Sequence, residues 1–112
     1  MDGASAPPTG ATGVSPPKLV FPTTRLMGYD KPREDLVRAY GVWQRRQVSH
    51  EQKGWYEMMQ HLTLERGYDL DIIASNPEWM YYFYTEENDI PEGCAWSYVC
   101  DVKAFHEQRE RL

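Results

Sequence analysis

Between Ile90 and His106 the apolar side chains Ala95, Tyr98, Val99, Val102 and Phe105 recur at steps of three and four. That period sets residues one above another on a single face of an α-helix. Pro91 has the fixed φ and missing N–H that suit a first helical turn, and Glu92 adds negative charge at the positive end of the helix dipole. The pattern predicts one helix starting near Ile90–Pro91 and running to His106. A stripe of this kind needs partner helices to cover it, which directs the rest of the chain toward a helical bundle.

The partners are legible upstream. Asp30 can cap a first helix, with Pro32 in its first turn, Glu34 and Asp35 near its N-terminus, and Leu36, Val37, Tyr40 and Trp43 at helical spacing as far as about Arg46. Gly41 inside that helix lowers its propensity and implies a close neighbour. Ser49 and Gln52 fit a capping box for a second helix, with Trp55, Met58, Met59 and Leu62 as its inner face and its end near Gly67. Tyr68 to Ile73 is expected as a turn or one further helical turn. A third main helix follows Asn76, with Pro77 first and Trp79, Met80, Phe83 and Tyr84 along it, and Glu86 to Asp89 form an acidic turn. No alternating strand pattern persists, so the expected class is all-α, with four main helices between residues 30 and 112.

Residues 1–29 read differently. They hold five of the chain's eight prolines and Gly3, Gly10, Gly13 and Gly28, the composition of a flexible, disordered tail. Within it, Lys18-Leu19-Val20-Phe21-Pro22 is an isolated apolar patch, either a docking motif or an arm that folds back on the domain, and Ser15-Pro16 has the form of a proline-directed phosphorylation site. No apolar run approaches the roughly 18 residues of a membrane span. The N-terminus lacks the order of a signal peptide, so a soluble intracellular chain is expected. Cys94 and Cys100 lie about 240° apart around the expected helix and about 9 Å along it, out of reach of each other. They are expected as free thiols, and their spacing with His106 scatters three would-be metal ligands around the helix. His50, His61 and His106 have no companion nucleophile or carboxylate at a meaningful spacing, and there is no phosphate-binding glycine loop. No catalysis, metal, cofactor or small-molecule substrate is expected.

From Ile90 to Phe105 the chain resembles, without a gap, a segment near the end of the core-binding, SAM-like domain of tyrosine recombinases and phage integrases. Ile90 stands at the leucine of that family's Gly-Leu-Ser turn, Ala95 at the first apolar site, Tyr98-Val99 at Tyr-Leu, Val102-Lys103 at Leu-Arg and Phe105 at the aromatic. Asp71-Ile72, Trp79 and Phe83 are similar to its third helix, and Ser49 to Leu62 to its serine-capped helix, so the likeness spans roughly residues 49–105. Gly93 and Cys94 depart from the serine and threonine frequent there. The resemblance implies a small four-helix SAM-like bundle and a non-catalytic DNA-binding module. It implies no recombinase chemistry, because the nucleophilic tyrosine belongs to a separate domain; His106 and Arg109 match that domain's His-x-x-Arg spacing as a coincidence of a solvated helix end.

Charge divides the domain. The chain carries −5 overall, but from Lys31 to Lys53 six cations, Lys31, Arg33, Arg38, Arg45, Arg46 and Lys53, meet only Glu34, Asp35 and Glu51. From Gly54 to Asp101, Arg66 is the only Lys or Arg among many acids. If the domain binds duplex DNA as the resemblance implies, the contacts fall on Arg45, Arg46 and Lys53, both arginines being read as a solvated helix end, with Lys103 at the arginine of the family's Leu-Arg pair; the other reading of the basic cluster is a solvated charged face. The alternative is an acidic helical adaptor for a protein partner. The run Trp79 to Tyr84 is too apolar for one helix face: either Tyr81 and Tyr82, or Trp96 on the back of the last helix, fill a partner's pocket, or the helix is buried on two sides by the tail and neighbouring helices.

Overall fold

The computed structural model describes residues 19–22 and 31–110. The expected tail, apart from the short stretch Leu19–Pro22, and the expected Asp30 cap lie outside the described residues. Those residues form six helices and no strand: α1 (Arg33–Arg45), α2 (His50–Glu65), α3 (Leu70–Ser75), α4 (Pro77–Thr85), α5 (Glu92–Cys100) and α6 (Val102–Glu110). The all-α class is as expected; the division into four main helices is not. α1 packs on α2, α4 on α5, and α2 on α5, while the short α3 touches α1, α4, α5 and α6. Among the described residues no helix is long and apolar enough to cross a membrane.

α1 starts two residues later than its sequence suggests. Pro32 occupies the N-cap, not the first turn, and its carbonyl accepts from the N–H groups of Asp35 and Leu36. Leu36, Val37, Tyr40, Gly41 and Gln44 form the buried face. A side chain on Gly41 would collide with Gln60 Oε1, so the glycine leaves the room that the Gln60 side chain occupies between α1 and α2. α2 has Ser49 at its N-cap, but the capping box does not form. Gln52 instead accepts a hydrogen bond from the Cys94 thiol at 2.9 Å, linking α2 to α5. The inner face of α2 is Tyr56, Met59 and Thr63, a rotation from the expected one that leaves Trp55 and Met58 exposed. Thr63 sits at a core position because its hydroxyl donates to the Met59 carbonyl and accepts from the Tyr84 hydroxyl. Gly67 ends α2 at φ 72° with paired bonds from Gly67 N to Leu64 O and from Tyr68 N to Thr63 O, the Schellman arrangement in which glycine avoids the penalty of a left-handed conformation.

Asp69 caps α3 by accepting from Ile72 N at 2.9 Å, and its other oxygen takes Arg33 Nη1 at 3.1 Å. Pro77 opens α4 as expected. Past α4, Asn88 Nδ2 caps the Phe83 carbonyl at 2.9 Å and Asp89, at φ 58°, turns the chain into α5.

The helix expected from Ile90 to His106 is two helices meeting at Asp101. Its stripe is real: Ala95, Tyr98, Val99, Val102 and Phe105 are all buried. The break comes from α1. In a continuous helix the Tyr98 carbonyl would receive the Val102 N–H; here it accepts the Tyr40 hydroxyl, while Gln44 Nε2 reaches the Ser97 carbonyl and Asp101 Oδ2.

Candidate functional site

The α4 sequence, Pro-Glu-Trp-Met-Tyr-Tyr-Phe-Tyr-Thr, is apolar on more than one side. Met80, Phe83 and Tyr84, at steps of three and four, point into the core. That leaves Trp79 and Tyr82, three residues apart, on an outward face, where they are 54% and 40% exposed. Trp79 is braced from behind, stacked on Phe83 and edge-on to Tyr68, so it is held in place although open to solvent. Beside this face, Phe21 lies across Tyr81 of α4 and Trp96 of α5, with ring centroids 5.5 and 5.2 Å away, and those two rings are themselves 6.4 Å apart. Three mutually touching rings therefore join the Leu19–Pro22 arm to the bundle.

Two clefts border the arm. One, of about 760 Å³, runs from Leu19 and Val20 past Pro77 and Trp79 to Tyr82. The other, of about 890 Å³, is floored by Tyr81, Tyr82 and Ile90 and edged by the carboxylates of Glu78, Glu86, Asp89 and Glu92. Burial and then the nearby Glu92 carboxylate push the Tyr81 hydroxyl above its ordinary range. A smaller groove of about 420 Å³ between α1 and α6 has Ala39, Val42, Trp43 and Phe105 as apolar walls, with Arg46 and Arg109 at its edge.

Of the residues expected to meet a partner, Tyr82 is exposed, Trp96 is half-covered beside Phe21, and Tyr81 is buried at 6% exposure. Tyr81 is therefore a floor residue, not a free anchor, because the arm and Trp96 close over it. Trp79 is an outward residue that the sequence reading misses. Its signal is the step of three to Tyr82 once Met80, Phe83 and Tyr84 are assigned inward.

The expected phosphate-binding residues differ in exposure and in their partners. Arg45 is not a solvated end: its Nη1 donates to Gln60 Oε1 at 2.8 Å, in the space that Gly41 leaves open. Arg46 is exposed at the α1–α6 groove. Lys53 is exposed on the first turns of α2, and Lys103, on α6, pairs with Glu107 at 4.0 Å.

Both thiols are free. Burial pushes Cys94 up and raises Cys100 to about 11, so each stays protonated at neutral pH, when a thiol is a poor nucleophile. Among the described residues no three His, Cys, Asp or Glu side chains are grouped to hold a metal ion. No protein-family model matches the chain, and neither a curated protein nor a solved structure matches it.

Proposed function

We propose that this chain is a non-catalytic interaction module that receives an extended segment of a partner protein on the outer face of α4 and α5. The observation that carries this reading is the pairing of exposed Trp79 and Tyr82 with two clefts that border a short apolar arm already seated there. Rigid aromatic rings bordering a cleft are the residues that dominate binding energy at protein interfaces. Acidic edges favour a basic partner and oppose nucleic acid at this face. Selection of a random peptide library on the full chain tests it. Apolar, aromatic-containing peptides should be enriched, and changing Trp79→Ala together with Tyr82→Ala should reduce their capture by at least about tenfold, on the scale of an aromatic hot spot. No enrichment, or enrichment indifferent to both changes, would contradict the reading.

A second reading keeps the SAM-like, DNA-binding expectation, and exposed Arg46, Lys53 and Lys103 support it. It predicts duplex DNA binding that weakens steeply with salt. The log–log slope should flatten by about 0.9 for each phosphate that Arg46→Ala or Lys53→Ala leaves without its cation. Absence of binding at low salt would remove this reading.

A further inference from the structure

We infer that the α4–α5 face selects a short extended segment in which a phenylalanine follows two aliphatic residues and a basic residue stands at the flank, and that Leu19–Pro22 is the chain's own copy of this ligand, seated in cis. The inference rests on the interaction-module reading and deepens it by naming the ligand class.

The first ground is the seat itself. Phe21 is the one ring of the arm, and it fills the angle between Tyr81 and Trp96 with a tilted contact to one and an edge contact to the other. These are the geometries that aromatic quadrupoles prefer. The second is backbone form. Pro22 disfavours helix at Phe21 and biases it toward extended structure, and Leu19–Pro22 carries no helix or strand. The third is the attachment within the described arm: Leu19 and Val20 are 41% and 76% exposed and Pro22 is exposed, so of residues 19–22 Phe21 is the most deeply seated. An arm held mainly by one side chain can be displaced.

Charge and space then describe the competitor. Among the described residues, the second cleft is edged by four carboxylates and lined by no Lys or Arg. A basic flank on the incoming segment complements it, and the chain's own sequence places Lys18 directly before Leu19. The clefts extend beyond the arm's own residues, to Ser75 and Asn76 in one and to Thr85 and Pro91 in the other. A longer segment with the same anchor therefore buries more surface than the arm does, which is the differential affinity that displacement requires.

The test uses full-length protein and a fluorescent synthetic peptide of residues 15–24. A tethered arm competes at an effective concentration on the order of millimolar, which lowers the apparent affinity of a weak peptide by roughly tenfold. The Phe21→Ala chain should thus bind the peptide about tenfold more tightly than the wild-type chain, more weakly as salt rises, and not at all when the peptide's own phenylalanine is replaced by alanine. Phe21→Ser serves as a second empty-seat variant, and thermal melts of both establish that the bundle is folded. Failure of both folded variants to bind, or equal binding by wild type, would overturn the inference. So would arm exchange, seen as a wild-type dimer that becomes monomeric in Phe21→Ala. If the library instead yields peptides that depend on Trp79 and Tyr82 but lack phenylalanine, the module reading stands and the ligand class falls; if it yields none, both fall.

Discussion

The seam between α1 and the α5–α6 pair and the outer face of α4 and α5 are both made of aromatic rings, yet they are held differently. In the seam, Gln44 donates to the Tyr40 hydroxyl, which donates to the Tyr98 carbonyl, and the same amide reaches the Ser97 carbonyl and Asp101. Directional bonds between buried groups admit one arrangement, and leaving any of them unmade is costly. On the outer face Phe21 meets Tyr81 and Trp96 through ring contacts, each worth about 1 kcal/mol and open to replacement by another ring. The difference separates what holds the bundle together from what can be exchanged at its surface.

The largest expected break is in the seam. Val102→Asp would place an unpaired carboxylate at a position 1% exposed, costing on the order of 4 kcal/mol or unfolding the domain outright. Lys103→Asp next to it should cost only about 0.5 kcal/mol, by turning the exposed pair with Glu107 into a like-charge pair. Thermal melts that moved equally for both would show that the face is wrongly assigned.

Two tyrosines sharpen the seam at the next level. Tyr40→Phe removes the hydroxyl that joins Gln44 to the Tyr98 carbonyl and should cost about 1–2 kcal/mol, a drop in melting temperature of roughly 5–10 °C. The Tyr98 hydroxyl is buried without a hydrogen-bond partner among the described residues, so Tyr98→Phe should be neutral or stabilising in the same melt. If Tyr98→Phe were the more damaging of the two, the network would be misplaced.

Acidity acts on the same seam. Burial raises the Asp101 carboxyl above its ordinary value, with the Gln44 bond opposing. The folded state then holds that proton more tightly than the unfolded chain. Its contribution to stability is greatest below the unfolded pKa of about 4 and declines as pH rises through the interval up to the raised value. Asp101→Asn should remove that decline while keeping an acceptor for Gln44. At the other end, burial of Tyr40, Tyr84 and Tyr98 and a Cys100 thiol held up at about 11 make folding oppose ionisation. Stability should therefore fall as pH rises above roughly 9–10. Denaturant melts across pH measure both limbs.

The smallest effect belongs to the packing of α1 on α2. Gly41→Ala gains about 1 kcal/mol of helix propensity but displaces Gln60 from Arg45. The two should nearly cancel, leaving a change within about 1 kcal/mol.

What the sequence made legible follows the range of the interactions. Pro77 at the start of α4, Gly67 at the end of α2 and the stripe from Ala95 to Phe105 all act within a few residues of themselves, and each holds in the structure. The division at Asp101 was hidden because it is made by Tyr40 and Gln44, more than fifty residues away. The turned face of α2 was hidden by Thr63, polar by type but buried through bonds to Met59 and Tyr84. Arg45 looked solvated because its partner, Gln60, is on another helix. Of the candidate site, the Leu19–Phe21 patch and Tyr82 stand out in the sequence; the seat beneath Phe21 and the outward place of Trp79 required the pairing of α4 with α5.

Trp43, Trp55, Trp79 and Trp96 sample both regions, and Trp43 reports the seam because its indole donates to Gln108 at 2.8 Å. The most direct measurement is the set of four indole N–H signals in a nitrogen–proton correlation spectrum of the Phe21→Ala chain, titrated with the peptide of residues 15–24. The account predicts that Trp96 and Trp79 shift progressively while Trp43 stays fixed. Movement of Trp43 with Trp96 and Trp79 unchanged, or no movement of any indole, would contradict it.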